Sequence, residues 1–145
     1  MDLSKILVIS GKPDLYELIS QNKSGAIVES LADKKRSQVF RTDKISSLNE
    51  ISLFTTDDDK PLREVFKSIY QKEEGKNIQF EIKKASGTEL FNYFKEVLPN
   101  YDTERVHASD VKKVFLWYNL LNTTGYIDLN DNNGEENKEA EETKE

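Results

Sequence analysis

Apolar positions change rhythm near Thr55-Thr56-Asp57-Asp58-Asp59-Lys60-Pro61. Upstream they come in short runs separated by turn residues; downstream they recur every three or four residues, the spacing that lines up side chains on one helical face. The upstream runs are Lys5–Ser10, Leu15–Ser20, Ala26–Leu31, Arg36–Arg41 and Ile51–Phe54. Turn chemistry separates them: Gly11-Lys12-Pro13-Asp14, then Gln21-Asn22-Lys23-Ser24-Gly25 with Gly where a hairpin needs positive φ, then Ala32-Asp33-Lys34-Lys35. Between the last two runs, Thr42 or Asp43 is placed to cap a single helical turn with Ile45 and Leu48 on one side. Five short strands with a helical turn before the fifth predict a small SH3-like β-barrel over residues 1–55. The alternative is an open antiparallel meander covered by the helices of the second half.

Residues 56–126 read as a helical domain of about three helices. Asp59 is positioned to cap the first, with Pro61 in the opening turn where a missing N–H costs nothing. Leu62, Val65, Phe66, Ile69 and Tyr70 form its apolar stripe, and Glu74-Gly75 ends it. Ser86-Gly87-Thr88-Glu89 matches a capping box ahead of Leu90, Phe91, Phe94, Val97 and Leu98, and Pro99-Asn100 stops that helix. Ser109 or Thr103 begins a third, in which Val111, Val114, Phe115, Tyr118 and Leu121 make one stripe, widened by Leu116, Trp117 and Leu120; Thr123-Thr124-Gly125 marks its end. From Asn77 to Lys84, Ile78, Phe80 and Ile82 alternate with polar residues, which fits either a strand or an extended tether. The fold class is therefore α+β.

Charge changes the picture only in one place. Of 27 acidic and 21 basic residues, eight acids and two lysines lie beyond Ile127, leaving 19 of each in the body and placing the whole net charge of −6 in the last segment. Residues 127–145, nearly devoid of apolar side chains, read as a disordered acidic tail. A neutral body gives no general argument for nucleic acid, and DNA binding is not expected. The absence of cysteine excludes disulfides, thiolate metal sites and a Cys nucleophile. The apolar stretch after Met1 is too short for a signal peptide and the longest apolar run, Val114 to Tyr118, is far too short for a membrane span, so a cytoplasmic chain without a membrane partner is expected.

Candidate chemistry is sparse. His107 is the single histidine, and Ser109 and Asp110 follow it, but a catalytic relay needs convergence in space rather than adjacency in sequence. Asp57-Asp58-Asp59 has the oxygen ligands of a hard-cation site, yet reads better as a solvated linker favouring the positive end of the next helix. Asp128, Asn130, Asn132 and Glu139 imitate an EF-hand loop that fails where Asn133 replaces the required Gly and Glu135 the apolar residue. Ser10-Gly11-Lys12 lacks the strand-to-helix setting of a phosphate loop. No catalytic residue, metal or cofactor is assigned, and the chain is expected not to be an enzyme. Binding candidates remain: Lys34, Lys35 and Arg36 on a hairpin tip, Tyr16 and Phe40 as exposed barrel aromatics, and Trp117 on a third helix with more apolar circumference than one contact needs. For Trp117 the competing reading is simple core packing.

Several stretches resemble a family of small uncharacterised Bacteroidetes proteins: Leu3-Ser4-Lys5-Ile6, Ile9-Ser10-Gly11-Lys12-Pro13, Leu15-Tyr16, Val28-Glu29-Ser30-Leu31 and Ile51-Ser52-Leu53-Phe54-Thr55. Glu96-Val97-Leu98-Pro99-Asn100-Tyr101-Asp102, Glu104-Arg105-Val106, Ser109-Asp110-Val111-Lys112-Lys113 and Trp117-Tyr118-Asn119 extend the likeness over residues 1–125. One departure is Asp14, where Gly would be expected after Pro13. The resemblance implies an N-terminal β-rich domain joined to a helical one, in a bacterial cytoplasm, and supplies no activity or ligand.

The leading expectation is a non-catalytic binding module or adaptor for a protein or ribonucleoprotein partner; direct RNA binding through basic barrel loops is the alternative, and monomer and homodimer stay open. A barrel of about 55 residues buries little apolar surface by itself. Residues 1–55 expressed alone should therefore melt broadly, and a sharp, cooperative transition by circular dichroism would contradict this.

Overall fold

The computed structural model describes residues 3–12 and 14–127. They form two compact units divided between Ile51 and Ser52.

The first unit is built from five antiparallel strands: β1 (Ile6–Ile9), β2 (Leu15–Asn22), β3 (Gly25–Ser30), β4 (Arg36–Phe40) and β5 (Ile45–Ser47), in the order β4-β3-β2-β1-β5. At Ile6-Leu7 and Leu15-Tyr16 both faces of the sheet are buried. Leu7, Ile9, Tyr16, Ala26, Val28 and Val39 form a buried cluster with Leu18 packed against it. The β2–β3 register shifts between Leu18 and Ser20, leaving Ile19 as the extra residue of a bulge, 37% exposed.

The sheet does not close into a barrel, because β4 and β5 are its two edges. The expected fifth strand, Ile51–Phe54, takes no part in this sheet. Its place beside β1 is filled by Ile45–Ser47, where a helical turn was predicted, and the turn itself follows at Leu48–Glu50. The Ser47 hydroxyl decides the order by accepting the Asn49 N–H at 3.1 Å and capping that turn. Asp43 caps no helix; its carboxylate accepts the Phe40 N–H at 2.8 Å.

The second unit opens with a two-stranded ribbon, β6 (Ser52–Leu53) against β7 (Lys60–Pro61). Between them, buried Thr55 organises a tight turn: its hydroxyl donates to the Asp58 carbonyl at 2.6 Å and accepts from the Asp57 N–H at 3.0 Å. The extended Lys60-Pro61 pair removes Asp59 from capping range, and Pro61 is the uncapped N-cap of helix α1 (Leu62–Lys72). Glu74 and Gly75 at φ 56° and 85° end that helix, with the Gly75 N–H donating to the Tyr70 carbonyl.

The capping box at the start of helix α2 (Gly87–Val97) forms as predicted: the Glu89 N–H donates to Ser86 Oγ at 3.1 Å, and Glu89 Oε1 accepts from the Ser86 N–H at 3.0 Å. Helix α3 (Ala108–Thr123) starts one residue before Ser109, after His107, whose backbone N–H donates to Asp110 Oδ2. Its predicted stripe, Val111, Val114, Phe115, Tyr118 and Leu121, is wholly buried. Phe115 gathers the aromatic core, with ring centroids 5.0 Å from Tyr93, 6.1 Å from Phe80 and 6.1 Å from Phe94.

Asn77–Lys84 is a tether, ending in a 3-10 turn at Ile82–Lys84, rather than a strand. Asparagines of α3 satisfy its backbone in place of a partner strand. Asn119 Oδ1 accepts from the Ile78 N–H at 2.8 Å, and Asn122 Nδ2 donates to the Gly75 carbonyl and Asn77 Oδ1. Tyr118, fully buried, donates its hydroxyl to the Lys76 carbonyl at 2.9 Å.

Burial, followed by the charge of Glu73, pushes the Tyr118 phenol up to about 12. The folded chain therefore holds a proton that the unfolded chain, with a tyrosine pKa of about 10, releases. Stability should be intact below pH 10 and fall between pH 10 and 12. The unfolding free energy of Tyr118→Phe from urea titration should start about 1 kcal/mol lower at pH 8, for the lost hydrogen bond, and decline less steeply above pH 10; parallel profiles would contradict this.

Candidate binding surfaces

Tyr16 belongs to the core. It is 9% exposed within the sheet's apolar cluster, and burial first, then Asp14 and Asp33, raises its phenol above the ordinary value. The expectation of an exposed aromatic at this position is corrected: Tyr16 lies opposite Leu7 and Ser30 on the buried face.

The basic run does form a turn tip between β3 and β4. Lys34 takes the left-handed conformation at φ 65° and donates its N–H to the Ser30 carbonyl. Two acids temper its charge: Asp33 Oδ1 accepts the Lys35 N–H, and Glu29 pairs with Arg36 Nε at 3.0 Å. Such a pair at the surface contributes little stability but reduces the field a ligand would meet. Lys34 and Lys35 stay exposed.

Phe40 stands at the far end of β4, about 13 Å from Arg36 by strand rise, and is 53% exposed, the most exposed large hydrophobic side chain among the described residues. The Ser30 N–H donates to the Lys35 carbonyl and the Arg41 N–H to the Ser24 carbonyl. Antiparallel alternation then turns the main-chain groups of Arg36, Gln38 and Phe40 away from β3. Asp43 takes up both groups of Phe40, its carboxylate accepting the N–H and its own N–H donating to the carbonyl. Among the described residues, nothing takes up those of Arg36 and Gln38 on this edge. Gly25, opposite Phe40, permits this close approach: a Cβ there would lie 2.0 Å from the Val39 carbonyl oxygen.

In the helical unit, Trp117 is half-buried on α3. His107 is exposed, and Asp110 bonds its backbone, so no Asp–His–Ser relay is assembled there. Asp57 is engaged by the Asn100 amide at 3.3 Å, and among the described residues no cluster of three His, Cys, Asp or Glu side chains could hold a metal ion. Ser10-Gly11-Lys12 turns into β2 rather than a helix; the EF-hand-like stretch from Asp128 lies outside the described residues. A shallow cleft of about 170 Å³ runs between the start of α1 and the end of α2, lined by Lys60, Glu64, Ser68, Pro99 and Asn100.

One contact escaped the sequence reading. The 3-10 turn carrying Lys83 and Lys84 packs on α3, and Lys112 Nζ reaches the Lys83 carbonyl at 3.3 Å.

Residues 3–48 match a family model described as a domain of unknown function (DUF5606), and residues 51–121 match another, also a domain of unknown function (DUF6852). A solution NMR structure of a Bacteroides vulgatus protein is 47% identical over 87% of this chain and 89% of its own, with a TM-score of 0.72. The chain belongs to this two-domain family of unknown function. The resemblance drawn from the sequence is thereby shown, and the two family models meet beside the division between the compact units. No curated protein matches the chain. No helix among the described residues is long and apolar enough to cross a membrane.

Gly25→Ala should destabilise the protein by about 1–3 kcal/mol, through overpacking against β4 and loss of the positive-φ conformation. A thermal midpoint equal to that of the parent chain would show that β4 does not depend on this close approach.

Proposed function

We propose that this protein is a non-catalytic binding module of the bacterial cytoplasm that engages a protein partner by strand addition at β4. The supporting observation is the open edge itself: main-chain groups at Arg36 and Gln38 that are unpaired among the described residues, beside Phe40, 53% exposed. An extended peptide added there would gain main-chain hydrogen bonds, and Phe40 would supply the apolar anchor. The order of strands, with β5 returning beside β1, suits an opened SH3-like module whose unclosed edge is the working surface. Lys34 and Lys35 at the start of the same strand favour a partner segment carrying acidic residues. A ribonucleoprotein partner reached through the same basic tip is the second reading.

Two substitutions test the edge without disturbing the core. Phe40→Ser removes the anchor, and Gln38→Pro removes an outward N–H that makes no bond within the sheet. Both variants should lose a partner that co-purifies with the parent protein from native lysate after nuclease treatment, while melting within a few degrees of it. Undiminished capture by both variants would sink strand addition, and capture abolished by nuclease would favour the ribonucleoprotein reading.

A further inference from the structure

Given strand addition at β4, on which this rests, we infer that the edge takes a short, extended acidic peptide with an apolar centre and carboxylates at both ends, about six residues apart. Residues 33–44 hold five basic side chains, Lys34, Lys35, Arg36, Arg41 and Lys44, against two acidic ones, Asp33 and Asp43, in a body where the two signs balance. Glu29 takes up Arg36, and the two aspartates accept the backbone N–H groups of Lys35 and Phe40. Lys34 and Lys35 before the strand, and Arg41 and Lys44 after it, are exposed and make no ion pair among the described residues. Positive charge therefore brackets β4 at both ends.

Hydrogen bonding limits the paired length. Asp43 already holds both main-chain groups of Phe40, so an added strand bonds only at Arg36 and Gln38. Beyond them the peptide passes Phe40 by side-chain contact alone. Phe40 shares a face of the sheet with Gln38 and with half-buried Ile27, which lies opposite Gln38, and the two apolar side chains offer a seat for an apolar residue. From Lys35 to Arg41 the strand spans about 20 Å by its rise, which an extended peptide matches with acids about six residues apart. Surface ion pairs add little affinity one by one. Cations at both ends instead select the partner and fix its register, which is where electrostatic complementarity acts most. A nucleic acid would leave the main-chain groups of Arg36 and Gln38 without strand partners, whereas a peptide uses them.

The test titrates the full chain into a fluorescein-labelled nine-residue peptide of alternating Val and Thr with two Asp at each end, read by anisotropy. At 50 mM salt it should bind at least fivefold more tightly than the same peptide ending in Asn, and threefold more tightly than one with all four Asp at one end. The first ratio should fall below twofold at 1 M salt, where the screening length is about 3 Å. Lys34→Gln/Lys35→Gln and Arg41→Gln/Lys44→Gln should each weaken binding at least threefold with unchanged circular dichroism, and Lys83→Gln/Lys84→Gln should stay within twofold of the parent. Equal binding of the Asn-ended or one-sided peptide, or no binding of the acidic one, would overturn the charge match while leaving strand addition to the lysate capture. Equal binding to Gln38→Pro would show attraction by charge alone and remove strand addition as well. A dimer by light scattering that the peptide does not dissociate would give the edge to a second copy, and tighter binding of poly(U) RNA would give it to nucleic acid; either result overturns the inference.

Discussion

A backbone amide or carbonyl that leaves water must find a partner, and that requirement shapes this chain more than any single apolar contact. The tether from Gly75 to Lys84 lies against α3 without a neighbouring strand, so Asn119, Asn122 and Tyr118 supply side-chain partners for it. The turn after β6 is held by one buried hydroxyl, that of Thr55, bonded to both sides of the Asp57–Asp58 step. At the sheet edge, Asp43 serves Phe40 as a local substitute for a missing strand. The same constraint therefore shapes both the interior of the helical unit and the end of β4.

Electrostatics divides the surface in a way that composition conceals. A body with equal numbers of acids and bases still contains places where the two signs separate. At the β3–β4 tip, Glu29 and Asp33 sit beside the basic run and soften it. On the helical unit, the Lys112 ammonium is taken up by the Lys83 carbonyl. Neutralisation thus depends on neighbours in space rather than on composition.

Much of the architecture was legible in local patterns. The capping box at Ser86-Gly87-Thr88-Glu89, the buried stripe from Val111 to Leu121 and the first four strands follow from period and turn chemistry alone. The fifth strand was misplaced because Ile45-Ser46-Ser47 carries almost no strand signal of its own; its pairing with Leu7, Val8 and Ile9 confers the conformation. Tyr16 was misread because an amphipathic side chain at a strand start suits either face, and register alone assigns it to the buried one. The contact of Lys112 with the Lys83 carbonyl could not be seen at all, since the two residues meet only through tertiary packing.

By itself, then, the sequence determined the α+β class, the change from short apolar runs to helical spacing near Thr55–Pro61, the capping box at Ser86–Glu89 and the neutrality of the body. These are properties of residues acting on neighbours a few positions away, where side-chain spacing and capping chemistry suffice. The tertiary structure alone decided that the sheet stays open, that β4 is an edge, that Tyr16 is core and that Lys112 meets the Lys83 carbonyl. Each of these depends on which distant segments pair or pack, and long-range pairing is governed by the fit of the whole fold rather than by local propensity.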